Sequence, residues 1–378
     1  MAHSFEAMRA YMDSAIQRTG LSGIDCIIYQ DHREIFRHTA GYGEMESKTP
    51  VQRDAFYNVY SGTKMITCIA ALQLVERGLM LLSDPLYLYL PEFREMTVKH
   101  SAFFIYPAKK HIRIVDLFTM MAGINYELVT PEKQKLQEET GGDFDTREFV
   151  KAIAKEPLLF EPGEGWDYSY CHDVLGAVIE VISGMSLDAY FKKYIFEPLG
   201  MYESSFTLAE DKKHRLAPQY NYDAATETIS RISSDCLGRA GLRHESGGGA
   251  LIMTADDYIK FADALACGGV GANGEKIISE QAIRLMSANR LNGKSYDDFK
   301  KIGVPDGIGY GLGVGVCFDP KASGSLVQEG AFYWGGIGGV QNLIDTKNRL
   351  SYFVGQHTFR CPVHLLRPYM LNVLYGCI

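Results

Sequence analysis

An excess of positive charge is missing from this 378-residue chain: 38 Lys and Arg stand against 46 Asp and Glu, for a formal net charge of −8. A nucleic-acid binder usually gathers basic residues on one face. Here they are scattered, and the densest clusters, Lys109-Lys110-His111 and Lys212-Lys213-His214-Arg215, read as solvated surface. No nucleic-acid partner is expected. Long apolar runs are missing as well: no segment approaches the ~18 residues of a membrane span, so no membrane partner is expected. The first twenty residues, MAHSFEAMRAYMDSAIQRTG, lack the basic start and unbroken apolar stretch of a signal peptide. They read as an amphipathic helix. The eight cysteines, at 26, 68, 171, 236, 267, 317, 361 and 377, form no C-x-x-C, and several sit in apolar segments such as Met65-Ile-Thr-Cys-Ile69. That distribution suits reduced, buried thiols rather than a disulfide framework, and the expectation is a soluble, cytoplasmic protein.

Several chemical signatures are missing too. None of the ten histidines forms H-E-x-x-H, so no metal is expected. Gly269-Val-Gly-Ala-Asn-Gly274 matches G-x-G-x-x-G, but it follows a helical segment ending at Cys267-Gly268 rather than a strand, which makes it a loop and not a dinucleotide fingerprint. No cofactor is expected. There is no G-x-S-x-G elbow, the main sign of an α/β-hydrolase.

What is present is a change of character along the chain. Ile24–Gln30 and Glu34–Thr39 are β-rich runs around the turn Asp31-His-Arg33, which predicts a hairpin. From Ser61 to about 215 the pattern is mostly helical. Met65 to Arg77 is apolar nearly all round and should be buried, with Gly78 as its stop. Further helices are expected at about 112–121, 145–155, 171–183 and 186–195, and the polar stretch 131–145 reads as an exposed, mobile loop. A helix over 255–266 precedes expected strands at about 309–316, 331–334, 339–345 and 350–356, and a helix at about 363–375 closes the chain. Strands at both ends and helices in the middle predict two units. Residues 1–60 and 216–378 form an α/β domain with an antiparallel sheet flanked by helices. Residues 61–215 form an inserted, mainly helical domain.

At the start of that insertion stands Ser61-Gly-Thr-Lys64. Three residues' separation at a helix start puts both side chains on one face, where free N–H groups favour developing negative charge. A serine needs a base to take its proton, and a lysine desolvated against Met65, Ile66 and Ile69 would have a lowered pKa and could serve. S-x-x-K also arises by chance, so the surrounding segments decide its meaning.

Those segments carry a family resemblance. Phe56-Tyr-Asn-Val-Tyr-Ser-Gly-Thr-Lys-Met-Ile-Thr67 resembles the nucleophile segment of the serine β-lactamase and penicillin-binding-protein superfamily, in particular class C β-lactamases, D-alanyl-D-alanine carboxypeptidases and family VIII esterases. His111 to Ile124, Phe160 to Tyr170 with Asp173 to Glu180, and Gly247 to Asp257 resemble further segments in the family's order, so the likeness runs from about 24 to 357. It implies a β-lactamase/transpeptidase-like fold, with Ser61 as nucleophile and Lys64 and Tyr168 as proton carriers. The backbone N–H groups of Ser61 and Ile337 would form the oxyanion hole. Tyr168-Ser-Tyr170 stands where the family has Y-x-N, and Trp334-Gly335-Gly336 where it has K-T-G or H-T-G. A phenol beside an ammonium gives up its proton more readily, which suits Tyr168 for general-base work.

Two departures bear on substrate. Tyr170 replaces the asparagine, and the basic residue that grips a β-lactam or D-alanyl carboxylate is replaced by Trp334, a flat apolar wall. Gly335 and Gly336 would let the strand approach substrate closely, or mark a bulge. Tyr170, Trp334, Gly335 and Gly336 are therefore the expected substrate-binding residues. Met120-Met121 reads equally as a greasy pocket wall or as core, and 131–145 and 290–306 are expected to shape the pocket. The departures favour a serine hydrolase forming an acyl-enzyme with small carboxylic esters. The alternatives are a β-lactamase or D-alanyl-D-alanine carboxypeptidase acting on a β-lactam-like substrate, or a covalent acyl-binding sensor without turnover.

Overall fold

The computed structural model describes residues 4–101, 104–233, 239–361 and 363–378; Cys236 lies outside them. Its largest sheet has eight antiparallel strands drawn from both chain ends. In spatial order they are Ile308–Tyr310, Gly315–Cys317, Phe332–Tyr333, Gln341–Asp345, Leu350–Gly355, Gly23–Gln30, Arg33–Glu44 and Thr49–Pro50. The two ends meet where Cys26 pairs with Val354 and Ile27 with Phe353. All six residues of Leu350–Gly355 are buried, which requires cover on both faces because alternate side chains point opposite ways. Phe353 stacks on Tyr258 of the Ala255–Ala266 helix, with ring centroids 4.6 Å apart. Tyr352 points the other way, its hydroxyl 3.6 Å from Met370 Sδ on the Val363–Cys377 helix. That helix packs with the N-terminal Glu6–Thr19 helix. The expected antiparallel sheet flanked by helices, built from both termini, is what forms.

Between the two groups of sheet strands the chain is mainly helical up to about 215. The Thr63–Glu76 helix is buried from Thr63 through Leu74, as its unbroken apolar pattern predicts, and it packs on the Cys171–Ser183 helix. Among the described residues no single helix is long and apolar enough to cross a membrane.

Several expectations change. Residues 131–145 are not a loop: Pro131–Thr140 is helical. The signals were local, with Thr130 capping Lys133 N–H, Pro131 in the first turn and Gly141 left-handed after the last. The 112–121 helix shrinks to Ile114–Phe118, stopped before Met120, whose φ is +59°. The 309–316 strand is two short strands joined by a tight turn, with Gly311 N–H bonded to Val314 O at 2.8 Å. Three small sheets escaped the sequence pattern. One is the hairpin Thr97–Ser101 with Phe104–Pro107. Another joins Phe56–Asn58, Ile252–Thr254 and Ser204–Ser205. The third joins Thr358–Phe359, Gln219–Asp223 and Thr228–Ile232.

Candidate active site

Ser61 is delivered by a strained approach. The strand Phe56–Asn58 leads into a 3-10 turn, Tyr60–Gly62, that runs straight into the Thr63–Glu76 helix. Tyr60 has φ +45°, a conformation a bulky side chain adopts only when its surroundings enforce it. They do: its hydroxyl bonds Gln219, and its ring packs edge-on against Phe359 and His357, with centroids 5.4 and 6.4 Å away. His357 also holds the strand itself, accepting Asn58 N–H at Nε2 (2.8 Å) and donating from Nδ1 to Ala217 O (2.9 Å). None of this was visible in S-x-x-K alone.

Lys64 lies one turn on, fully buried. Its Nζ donates to Gly248 O at 2.5 Å and to Ser61 Oγ at 3.4 Å, so the glycine-rich segment after Gly247 supplies its anchor. Tyr168 closes the triangle, with its hydroxyl 2.5 Å from Ser61 Oγ and its ring 4.7 Å from Lys64 Nζ. Tyr168 sits in irregular backbone before the Cys171–Ser183 helix. Bonds from Asp167 N–H to Met120 O (3.1 Å) and Tyr170 N–H to Asn125 O (3.3 Å) fix that backbone. Met120 is core, fully buried beneath this segment.

The charge state of Lys64 differs from the expectation. Burial alone does push its pKa down, but the Tyr168 and Tyr126 phenols and the Asp173 carboxylate outweigh it and raise the value above that of a free lysine. The shift is therefore upward, opposite to the lowering expected from burial alone. Asp173 reinforces this: burial would raise its pKa, yet His244, Lys64 and Ser246 bring it below the usual carboxylate value. Ser246 Oγ donates to it at 2.5 Å. Asp173 and Tyr126 are site residues the sequence reading missed. Both lie inside the segments that carried the resemblance, or two residues beyond one, but nothing in their spacing marked them.

Trp334 forms one wall. Its ring stacks on Tyr168 at 6.0 Å and meets Tyr310 edge-on at 5.2 Å. A chain of hydrogen bonds ties its strand to the serine turn. Trp334 N–H donates to Asn342 Oδ1 (3.0 Å), Asn342 Nδ2 to the Tyr258 hydroxyl (2.9 Å), and that hydroxyl to Gly62 O (3.0 Å). The two glycines after Trp334 have another use than the expected approach to substrate. A Cβ at Gly336 would overlap Val59 O, and one at Gly335 would overlap Arg367 Nη2. They let the strand lie against the serine turn and against the C-terminal helix. So a basic group does stand beside the Trp-Gly-Gly segment. Arg367 lies over the Tyr333 ring at 5.2 Å, and burial lowers its pKa. It comes from a helix that no motif alignment would examine.

Among the described contacts, Tyr170 has none with Ser61. It is buried behind Tyr126, with ring centroids 4.7 Å apart, and Lys133 Nζ lies 4.9 Å from the centroid of its ring. Tyr126 takes the forward place, edge-on to Tyr168 at 5.2 Å. The segment carrying it is braced from below by Glu156, which accepts from Asn125 Nδ2 (2.7 Å), Lys133 Nζ (3.1 Å) and the Thr130 hydroxyl. Ile337 projects its side chain into solvent, 67% exposed. It sits in a turn closed by Gly339 N–H to Gly336 O at 2.8 Å. Among the described hydrogen bonds neither Ile337 N–H nor Ser61 N–H has an acceptor within the chain.

Comparison with known proteins bears on family and fold. The β-lactamase family model matches residues 6–359. Protein Rv1367c of Mycobacterium tuberculosis is 30% identical over 339 residues, covering 84% of this chain and 81% of the relative. Esterase EstB of Burkholderia gladioli is 29% identical over 369 residues, covering 92% and 89%. Among solved structures, EstCE1, described as a hydrolase with promiscuous acyltransferase activity, superposes with a TM-score of 0.83 over 98% of both chains; at 22% identity this speaks to the fold alone. The chain belongs to the β-lactamase family.

Proposed function

We propose that this protein is a β-lactamase-like serine esterase that cleaves small carboxylic esters through an acyl-enzyme. The observation that carries the reading is the placement of Ser61 Oγ between the Tyr168 hydroxyl, 2.5 Å away, and the Lys64 ammonium, 3.4 Å away. In this mechanism the Lys64–Tyr168 pair carries one proton fewer than ammonium plus phenol and reacts as ammonium and phenolate, so Tyr168 Oη is the group that takes the serine's proton. Ser61 Oγ attacks the ester carbonyl as its proton moves to Tyr168 Oη, and the backbone N–H groups of Ser61 and Ile337 hold the oxyanion. Collapse of the tetrahedral species breaks the bond to the alkoxide, which leaves with the proton from Tyr168. Water then repeats the sequence on the acyl-enzyme and frees the acid. Lys64 keeps its charge throughout and stabilises the phenolate, with Asp173 balancing it.

Trp334 and Tyr126 flank the serine with aromatic surface, which suits an uncharged acyl group. The name of EstB supports ester chemistry. We divide the chain into lobes at 60/61 and 215/216, with Ser61 at their junction. We place the protein in the cytoplasm, where its described cysteines, all unpaired, stay reduced.

The test is p-nitrophenyl butyrate hydrolysis by the wild type and Ser61→Ala, with nitrocefin in parallel. Sustained turnover that falls at least a thousandfold in Ser61→Ala is expected, with little nitrocefin cleavage. Equal rates in both proteins would refute the mechanism. Fast nitrocefin turnover would move the substrate to β-lactams, with the missing basic residue replaced elsewhere. A trapped acyl-protein that never releases acid would make it a covalent sensor.

A further inference from the structure

The tip of the N-terminal hairpin carries a second group of chemically capable side chains. Asp31 and His32 occupy the centre of the turn in left-handed conformations, with φ +52° and +66°. This lays His32 against the C-terminal part of the Ala255–Ala266 helix. Its backbone N–H and its Nδ1 both reach the Asp263 carboxylate, at 3.3 and 2.7 Å. Cys267, four residues on and therefore on the same helix face, places Sγ 3.8 Å from Asp263 Oδ1. One nitrogen, one carboxylate oxygen and one sulfur lie within 4.8 Å of one another. Asp263 is buried, and the His32 side chain is 26% exposed.

We propose that His32, Asp263 and Cys267 bind a single zinc ion. Imidazole, carboxylate and thiolate are the three donor types zinc takes in proteins, and tetrahedral geometry at its usual bond lengths separates donors by about 3.3–3.7 Å. The Sγ–Oδ1 spacing of 3.8 Å lies just above that range, and because His32 Nδ1 faces the other oxygen, Oδ2, the carboxylate must turn to present one oxygen to both. The His32–Asp263 spacing must open by under ~1 Å, which a partly exposed imidazole on a turn accommodates. Charge also balances. Asp263 and the Cys267 thiolate neutralise the dication, the thiol proton leaving to solvent. The nearby cation Arg349, its Nε 2.5 Å from Asp31 Oδ1, also acts on Cys267 and Asp263 and favours their anionic forms. Water fills the fourth position. No sequence motif marks the site because His32 and Asp263 are 231 residues apart.

The ion would clamp the hairpin to the helix and stand outside the ester chemistry. Tyr258, on the same helix, touches Gly62; at 1.5 Å rise per residue, Asp263 and Cys267 lie about 8 and 14 Å further along the axis.

The experiment titrates Co2+ into metal-free, full-length protein and follows thiolate-to-cobalt charge-transfer absorbance. One equivalent should raise the band, and Zn2+ should displace it. Cys267→Ser should abolish the band. His32→Ala, at an exposed turn, should weaken binding at least tenfold while its circular dichroism and butyrate hydrolysis match the wild type. Zinc should raise the melting temperature of the wild type and of neither variant. Absence of a stoichiometric band in the wild type overturns the proposal. So does a band that survives Cys267→Ser, or undiminished affinity in His32→Ala, which remains readable if the cysteine variant fails to fold.

Discussion

The buried cluster around Ser61, taken as a floor, and the exposed apolar side chains that follow Tyr126 and Gly336 in the chain, taken as a rim, are built in opposite ways. On the floor, Lys64 and Asp173 are almost wholly buried, and their partners come from the glycine-rich segment and the Cys171–Ser183 helix. On the other side of that contrast, Leu128 and Val129, just beyond Tyr126 in the chain, are 72% and 67% exposed, as is Ile337 at 67%. A buried charge survives only with partners in fixed places, so the floor tolerates one arrangement. Exposed apolar side chains impose no such demand. The difference separates the reaction, which the floor fixes, from the shape of the substrate, which the rim can vary.

The comparison is broken most severely at Tyr168. Tyr168→Phe keeps the ring against Trp334 and removes the proton acceptor. The kcat for p-nitrophenyl butyrate should fall about 10²–10⁴-fold with KM little changed; a loss under tenfold would show that another group takes the serine's proton. Acid should act on the floor next. Burial lowers the His357 pKa to about 4, below its unfolded value near 6.5. Its contribution is therefore complete above pH 6.5 and is lost as pH falls towards 4, because the unfolded state binds the proton first. The loss is up to about 3 kcal/mol. Urea unfolding at pH 7 and pH 4.5 should show this, and His357→Gln should show a shallower dependence. The rim should respond least. Leu128→Ser with Val129→Ser should raise KM for p-nitrophenyl hexanoate about fivefold, roughly 1 kcal/mol of apolar contact, and leave the acetate ester unchanged. An equal effect on both esters would place these residues outside the acyl path.

How much of this was legible depends on whether a residue's role is local. Ser61, Lys64, Tyr168 and Trp334 could be placed because each sits in a segment whose order is distinctive. The buried helix after Ser61 could be placed because its apolar residues leave no polar face. The Pro131–Thr140 helix had its caps in plain view, and its polar composition hid it. Lys133 is in fact buried against Glu156, a pairing between distant segments that composition does not reveal. The protonation of Lys64 was misread for a related reason. Burial was foreseeable from its neighbours in sequence, whereas Tyr126, Tyr168 and Asp173, which reverse its effect, converge from 60 to 110 residues away. Gly335 and Gly336 carried a correct signal of close approach, but only the fold says that the neighbours are Arg367 and the serine turn.

The hydrogen-bonded link from Trp334 through Asn342 and Tyr258 to Gly62 has a mechanical consequence. It joins the Trp334 strand to the serine turn like a tie rod, ending on the carbonyl of the residue after Ser61. A ligand wide enough to pry the two apart must stretch that rod, and in doing so drags the serine away from Tyr168. Bulk would then be sensed as lost alignment, so that girth as well as chemistry decides what the serine can reach.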